Sequence, residues 1–321
     1  MLPLHHPGHQ DRIGEDFINL WWINQVVKEE KSILDSLIES LYRFSNKALG
    51  SEVGRKLRSI IEESQVYKRV GREIRRYRER KLEEKVLASP LPRHVAVIMD
   101  GNRRYARSLG LTEEEGYLRG KEKLRELMEW CFDLGIRVLT VYAFSTENFK
   151  REKREVDLLF NICRDALRDA IDDERLHENG VRVNIIGRLD LLPADIRAMA
   201  RELMDRTRNH DRYILNVALA YGGRQEIVDA IKGIARDVKE GKLQLEDIDE
   251  DTVSSYLYTK DIPDPDLILR TSGEERISNF LLWQLAYSEL YFADVYWPAF
   301  TREDFLKAIY VYQRRRRRFG R

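Results

Sequence analysis

An acidic residue closes an apolar run at Asp100, and Gly101, Asn102, Arg103 and Arg104 follow it directly. A carboxylate placed right after a strand is held rigidly and points into the crevice on which the strand ends. Gly101 lets the backbone come close to a ligand. Asn102 adds a neutral hydrogen-bonding side chain, and the two arginines add forked donors. That mixture suits a magnesium-bound diphosphate, with the acid on the metal and backbone N–H groups and arginine on the oxygens. By itself, the stretch also reads as a strand-to-helix turn capped by its aspartate. A second polar cluster, Ser145-Thr146-Glu147-Asn148-Phe149-Lys150-Arg151, follows another apolar run. A loop capped by Ser145 or Thr146 would look the same. In a third, Arg270 and Arg276 bracket the Ser272-Gly273 turn, with Ile277, Ser278 and Asn279 following. Arginine forks match phosphate oxygens in pairs, and such a turn can present backbone donors to an anion. Glu289 lies in a long, mostly apolar run, where an unpaired carboxylate is expensive to bury. A metal or an arginine partner would relieve it.

These clusters need strands to end where they begin. Apolar runs at 95–99, 137–144, 181–186, 213–221, 266–270 and 291–297 read as strands. Helical spacing falls between them: Leu124, Leu127, Met128, Cys131; then Val156, Leu159, Phe160, Cys163, Leu167. Further helices are expected over 193–208, 224–239 and 302–317. The alternation predicts an α/β fold with a mostly parallel six-stranded sheet flanked by helices. Ligands of such sheets bind beyond the carboxyl ends of the strands, where the three clusters fall. Residues 1–90 read differently, as a helical, basic extension. Phe17, Leu20, Trp21 and Trp22 mark an apolar face, and 53–81 carries eleven Lys/Arg against four Glu. The division comes at Ala88-Ser89-Pro90-Leu91-Pro92, giving a catalytic domain over 91–321.

Composition narrows the classes. The 321 residues are 35% charged, yet the net charge is only +1. Cys131 and Cys163 support neither a disulfide framework nor a zinc site, and they read as small buried hydrophobes of a reducing, cytoplasmic protein. No stretch is apolar enough to span a membrane, and the first ten residues are not a signal peptide. No Walker A motif, dinucleotide fingerprint or nucleophile elbow occurs. His177 and His210 lack metal-ligand spacing, and Asp172-Asp173, within a helical pattern, reads as surface charge. The run Arg314–Arg318 has no interleaved aromatics, so nucleic acid is not an expected partner.

Five blocks, HVAVIMDGNRRYA, VYAFSTENFKR, LNVALAYGGRQEI, LILRTSGEERISNFLLWQLAYSELYF and RRRFG, occur in order from about residue 92 to 320. Together they resemble the cis-prenyltransferase family, which includes the undecaprenyl and dehydrodolichyl diphosphate synthases. The resemblance implies condensation of isopentenyl diphosphate onto an allylic diphosphate, geranylgeranyl or farnesyl, in an apolar tunnel. It implies a long polyprenyl diphosphate as product, the precursor of a glycosyl carrier lipid. Asp100 and Glu289 would bind Mg2+. Gly101, Asn102, Arg103, Arg104 and Tyr105 would surround the allylic diphosphate. Ser145, Thr146, Glu147 and Phe149 would line the reaction site, with Arg151 on diphosphate. Arg270, Arg276, Ile277 and Ser278 would hold isopentenyl diphosphate. Asn148 stands where a proton acceptor is sometimes drawn; an amide is a very weak base, so orientation suits it better. Arg318 and Gly320 would complete the site of a homodimer partner. Tyr117 stands where the family commonly has His, and Glu113 where many members have Arg. A non-catalytic partner subunit would have lost Asp100 or Glu289, and both are present. The basic extension is expected either to touch a membrane surface peripherally or to brace the domain.

Overall fold

The computed structural model describes residues 65–315. The expected extension face (Phe17, Leu20, Trp21, Trp22) and the C-terminal Arg318 and Gly320 lie outside them. Helix α1 (Gln65–Leu87) leads to β1 (His94–Ile98), α2 (Asn102–Ser108), α3 (Glu113–Leu134), β2 (Val138–Ser145), α4 (Lys153–Ile171), α5 (Glu174–Glu178) and β3 (Val181–Ile186). Then come α6 (Ala194–Thr207), β4 (Tyr213–Tyr221), α7 (Gly223–Lys239), α8 (Glu250–Ser255), β5 (Leu267–Arg270), β6 (Glu289–Phe292) and α9 (Arg302–Arg314). The six strands form one sheet in the order β3-β4-β2-β1-β5-β6, and every pair is parallel. The strand order runs out from β1 in both directions, so the crevice lies where β1 meets its neighbours.

Alternation along the strands builds two layers. Val95, Val97, Leu139, Val141, Leu215 and Leu219 join the larger core with Leu127, Trp130 and Leu167 of α3 and α4. Ala96, Ile98, Ala218 and Ile268 face the other way, onto Tyr221, Phe280 and Leu281. On that second face a hydrogen-bonded chain crosses four strands. His94 is 1% exposed. Its Nδ1 lies 2.6 Å from the Pro263 carbonyl, which can only accept, so Nδ1 donates. Nε2 then accepts from Thr140 Oγ1 at 2.7 Å. Thr140 accepts from Asn216 Nδ2 at 2.9 Å, and Asn216 from Asn184 Nδ2 at 2.8 Å. Each buried polar group thereby finds a partner. Burial, only partly offset by the Pro263 bond, pushes the His94 pKa down to about 4.

Two expectations need correction. The last strand is Glu289–Phe292, not 291–297. After Ala293 donates to the Arg270 carbonyl at 2.8 Å, the chain leaves the ladder, and Trp297 N–H reaches the Asp100 carbonyl at 3.0 Å. Asp172 and Asp173 do not sit within one helix. Asp172 ends α4, and the Asp173 side chain caps α5 by accepting from Arg175 N–H.

Candidate active site

The three polar clusters meet at the carboxyl edge of the sheet. Asp100 lies two residues past β1, and Arg270 ends the neighbouring β5. Arg270 Nη2 donates to Asp100 Oδ2 at 2.7 Å, and Arg104 Nη2 lies 3.3 Å from Asp100 Oδ1. The Thr271 hydroxyl pins the Asp100 backbone by donating to its carbonyl at 2.7 Å and accepting from its N–H at 3.0 Å. Gly101 takes φ 107°, and a Cβ there would come within 2.8 Å of Tyr296 Cδ1, so this turn requires glycine. Burial alone would raise the Asp100 pKa. The Arg270 hydrogen bond and charge, helped by Ser272 and Arg104, outweigh it and hold the carboxyl below its usual range.

Arg270 is buried and organises the floor. Its Nη1 donates to Ser278 Oγ at 2.8 Å and to the Arg276 carbonyl. Glu274 bridges Arg276 and Arg104, the latter at 2.7 Å, while Arg104 also donates to Ser272 Oγ at 2.6 Å. Ser272, Ser278, Asn279 and Leu281 all have positive φ, between 45° and 81°. Such backbone costs energy and persists where surrounding contacts enforce it. Here Asn279 is anchored by Gly223 N–H on its carbonyl at 2.7 Å and Arg224 N–H on Oδ1 at 2.9 Å.

Across the crevice, Glu155 of α4 collects three donors. It accepts from Tyr117 at 2.9 Å, Arg151 at 2.6 Å and Arg103 at 3.1 Å. Burial pushes the Tyr117 pKa up to about 12, so the phenol keeps its proton. Asn148 Oδ1 accepts from Ser145 N–H at 3.0 Å, so its carbonyl is already engaged. Asn279 Nδ2 donates to Glu147 at 3.0 Å; despite burial, this and neighbouring hydrogen bonds lower the Glu147 pKa.

Together these groups enclose a cavity of about 790 Å3 lined by six arginines and three carboxylates. Asp100, Gly101, Asn102, Arg103, Arg104, Tyr117, Ser145, Glu147, Asn148, Arg151, Arg270, Arg276 and Ser278 all border it. A second, mainly apolar cavity of about 260 Å3 runs between the sheet and α3, α4 and α6, past Leu124, Met128, Phe160, Leu167 and Leu215. Met99, Asn102, Tyr117, Tyr142, Ala143, Phe144 and Leu159 border both cavities. A register shift between β2 and β4 makes this junction: Tyr142 pairs with Ala218 but Phe144 with Leu219. The extra residue re-aims the strand. Tyr142 stacks on Phe280 at 4.6 Å on one face, and Phe144 meets Phe149 at 5.0 Å and Phe160 at 5.4 Å on the other.

Other expected residues lie elsewhere. Tyr105 turns to α3, where Arg119 donates to its hydroxyl at 3.1 Å. Thr146 bonds Glu147 beside Gly222, Phe149 packs behind Phe144 and Phe160, and neither they nor Ile277 border the polar cavity. Glu289 is not brought to Asp100. It pairs with Leu267 while Phe292 pairs with Arg270. At ~3.3 Å per residue, Glu289 therefore sits about 10 Å from the Arg270 level, toward the amino edge of the sheet. There Arg315 neutralises it at 3.0 Å. Glu155, Glu274 and Tyr142 escaped sequence reasoning. Only Glu155 carried a signal, four residues after Arg151 at helical spacing.

A strand-end acid in an arginine-rich cavity that opens into an apolar one, on an all-parallel sheet, defines a prenyl diphosphate-handling transferase. The chain belongs to the cis-prenyltransferase family: the family model described as undecaprenyl diphosphate synthase matches residues 98–320. It is an enzyme that condenses isopentenyl diphosphate onto an allylic diphosphate. It is 58% identical over 243 residues to the tritrans,polycis-undecaprenyl-diphosphate synthase (geranylgeranyl-diphosphate specific) of Pyrococcus abyssi, covering 76% of this chain and 92% of that one. The enzyme of the same name from Thermoplasma acidophilum is 57% identical over 238 residues, 74% of this chain and 92% of that one. Lavandulyl diphosphate synthase from Lavandula x intermedia, solved with dimethylallyl diphosphate, matches at TM-score 0.69 and 38% identity, over 72% of this chain and 99% of that one.

Proposed function

We propose that the chain extends geranylgeranyl diphosphate by successive isopentenyl units to a product of undecaprenyl class. The observation that carries this reading is the junction of the polar and apolar cavities at Asn102, Tyr117 and Phe144. It lets a diphosphate stay among arginines while a hydrocarbon tail enters a dry space. The relatives named for geranylgeranyl diphosphate support the primer. Rates measured with dimethylallyl, farnesyl and geranylgeranyl diphosphate test it, with product length read alongside. The highest kcat/KM is expected with geranylgeranyl diphosphate, and a tenfold preference for farnesyl diphosphate would refute the primer.

The cavity residues divide the chemistry. As the allylic C–O bond breaks, charge grows on the leaving diphosphate, and Arg103, Arg104 and Arg151 stand ready to meet it. Before substrate arrives, Glu155, Glu274 and Asp100 hold these side chains in place. Tyr117 serves the leaving group only by turning its single O–H away from Glu155. Arg276 and Ser278 take the isopentenyl diphosphate, and Arg270 orders Ser278 and Asp100 from below. The proton lost from the new chain goes to diphosphate, while Asn148 orients. Among the described residues no group of three His, Cys, Asp or Glu side chains could enclose a metal. Asp100 suits instead a magnesium ion that arrives with its diphosphate, since this ion is held by one or two carboxylates plus substrate phosphates. When bound, the ion offsets diphosphate charge.

For Glu289 to share an ion with an Asp100, that Asp100 must belong to a second copy of the chain. A homodimer completed by Arg318 and Gly320 is therefore part of the proposal. No described helix is long and apolar enough to cross a membrane. The setting we propose is cytoplasmic, with the basic extension resting on anionic lipid. Liposome flotation tests this. Replacing Trp21 and Trp22 together by Ser should lower the bound fraction, and equal flotation of both proteins refutes contact.

A further inference from the structure

Two residues outside the polar clusters hold the 100–102 turn in place: Gly120 in mid-α3, and Trp297 after β6. Trp297 is 1% exposed. Its backbone N–H donates to the Asp100 carbonyl at 3.0 Å, and its indole Nε1–H donates to the Gly120 carbonyl at 2.8 Å. One buried residue, through its backbone on one side and its indole on the other, thus ties the acid's turn to the middle of a helix that contributes no residue to that turn. Gly120 leaves room for Asn102. A Cβ added there would overlap Asn102 Oδ1 and come within 3.1 Å of Asn102 Cγ and of Trp297 Cδ1. One turn earlier, a Cβ on Gly116 would lie 2.6 Å from the Asn102 carbonyl oxygen. The start of α2 therefore rests on a glycine groove of α3.

The Asn102 carboxamide is weakly held by its own hydrogen bonds. Nδ2 reaches the Met99 carbonyl at 3.3 Å, and Oδ1 is buried with no hydrogen-bond partner. An orphan acceptor of this kind is costly. Its direction depends less on hydrogen bonds than on the space left by Gly120, which the Trp297 ring also borders. Asn102 in turn borders both cavities.

We propose that Gly120 and Trp297 are positioning residues for prenyl transfer, which act by fixing the Asn102 side chain where the diphosphate cavity meets the apolar one. This rests on assigning those cavities to the diphosphate and its hydrocarbon.

A double-mutant cycle tests it, because coupled residues lose additivity. Gly120→Ala alone should lower kcat/KM for the allylic diphosphate by on the order of 10- to 100-fold, as a displaced site group does. In an Asn102→Ser background, the same change should cost less than about 2-fold. Trp297→Phe keeps the backbone bond to Asp100 and loses the indole bond. It should show a smaller loss that likewise vanishes with Asn102→Ser. Equal factors in both backgrounds would mean that Gly120 is merely structural and would overturn the inference. Wild-type kcat/KM for Asn102→Ser itself would instead refute the cavity assignment at Asn102. If Gly120→Ala melts below assay temperature, melting points carry the cycle. Asn102→Ser should then recover most of the loss, and an equal drop in both backgrounds overturns the proposal.

Discussion

Asp100 and Arg270 act as a pair. The Arg270 side chain is 5% exposed, and Asp100 is its anionic partner. Deleting the carboxylate would strand a buried guanidinium, a loss of several kcal/mol when one partner of such a pair is removed. Asp100→Ala is therefore expected to lower both activity and melting temperature. Asp100→Asn keeps an oxygen for Arg270 and removes the charge. It should lower the melting temperature less than Asp100→Ala does, because the hydrogen bond survives while the charge of Arg270 is left unpaired, and cut turnover by on the order of 10³-fold, about 4 kcal/mol of transition-state stabilisation. Calorimetry with an isopentenyl transfer assay checks it. Near-normal turnover of Asp100→Asn would remove the carboxylate from the mechanism.

At the scale of elements, the wall of the apolar cavity reaches Leu215, near the start of β4. Tyr213, the first residue of that strand, packs on Phe132 near the end of α3 with ring centroids 4.8 Å apart. Beside them, next to Met128 and Leu215, only a gap of about 10 Å3 remains. Met128 and Leu215 also line the larger apolar cavity, so Tyr213 stands just behind that part of its wall. A growing chain meets resistance there, since forcing even a few extra methylenes into a packed interior costs ~1–3 kcal/mol. Tyr213→Ala should lengthen the products and leave the first condensation nearly unaffected. The same change removes a packed aromatic ring, and the melting temperature will fall too. Mass analysis of the polyprenols decides between the roles: an unchanged length distribution with lower stability leaves Tyr213 as core alone.

For the whole molecule, the chain from His94 to Asn184 links four strands beneath the site. The folded protein keeps His94 neutral to about pH 4, against an ordinary value of 6.5 in the unfolded chain. Between those values the unfolded chain binds the proton and the folded chain does not. This stability is thus fully present above 6.5 and is lost as the pH falls toward 4, by on the order of 3 kcal/mol. Denaturant melts across that window should show the slope, and His94→Gln should flatten it. An identical slope in both proteins would assign the acid sensitivity to other groups. Assembly is the second property at this scale. Shortening the chain to end at Arg315 should raise KM for isopentenyl diphosphate while the protein stays folded. An unchanged KM would rule out a cross-subunit role for Arg318 and Gly320.

Local pattern determined much of this protein. Apolar runs ending in 100–104, 145–151 and 270–278 placed three polar loops at one edge of a parallel sheet, because strand direction and βα alternation leave them nowhere else. The same logic erred at 291–297, where Tyr291, Val295, Tyr296 and Trp297 look strand-like. The chain departs there because its next hydrogen bonds go to Asp100 and Gly120, partners that no local period announces. For a related reason, local pattern does not place Glu289: register alone sets which end of the sheet a residue occupies. Tertiary structure also decided that Glu155 gathers Tyr117, Arg103 and Arg151, and that Asn102 is held by a glycine. Residue type and spacing name the groups available for chemistry. Which of them meet depends on contacts between distant segments, and those exist only once the chain is packed.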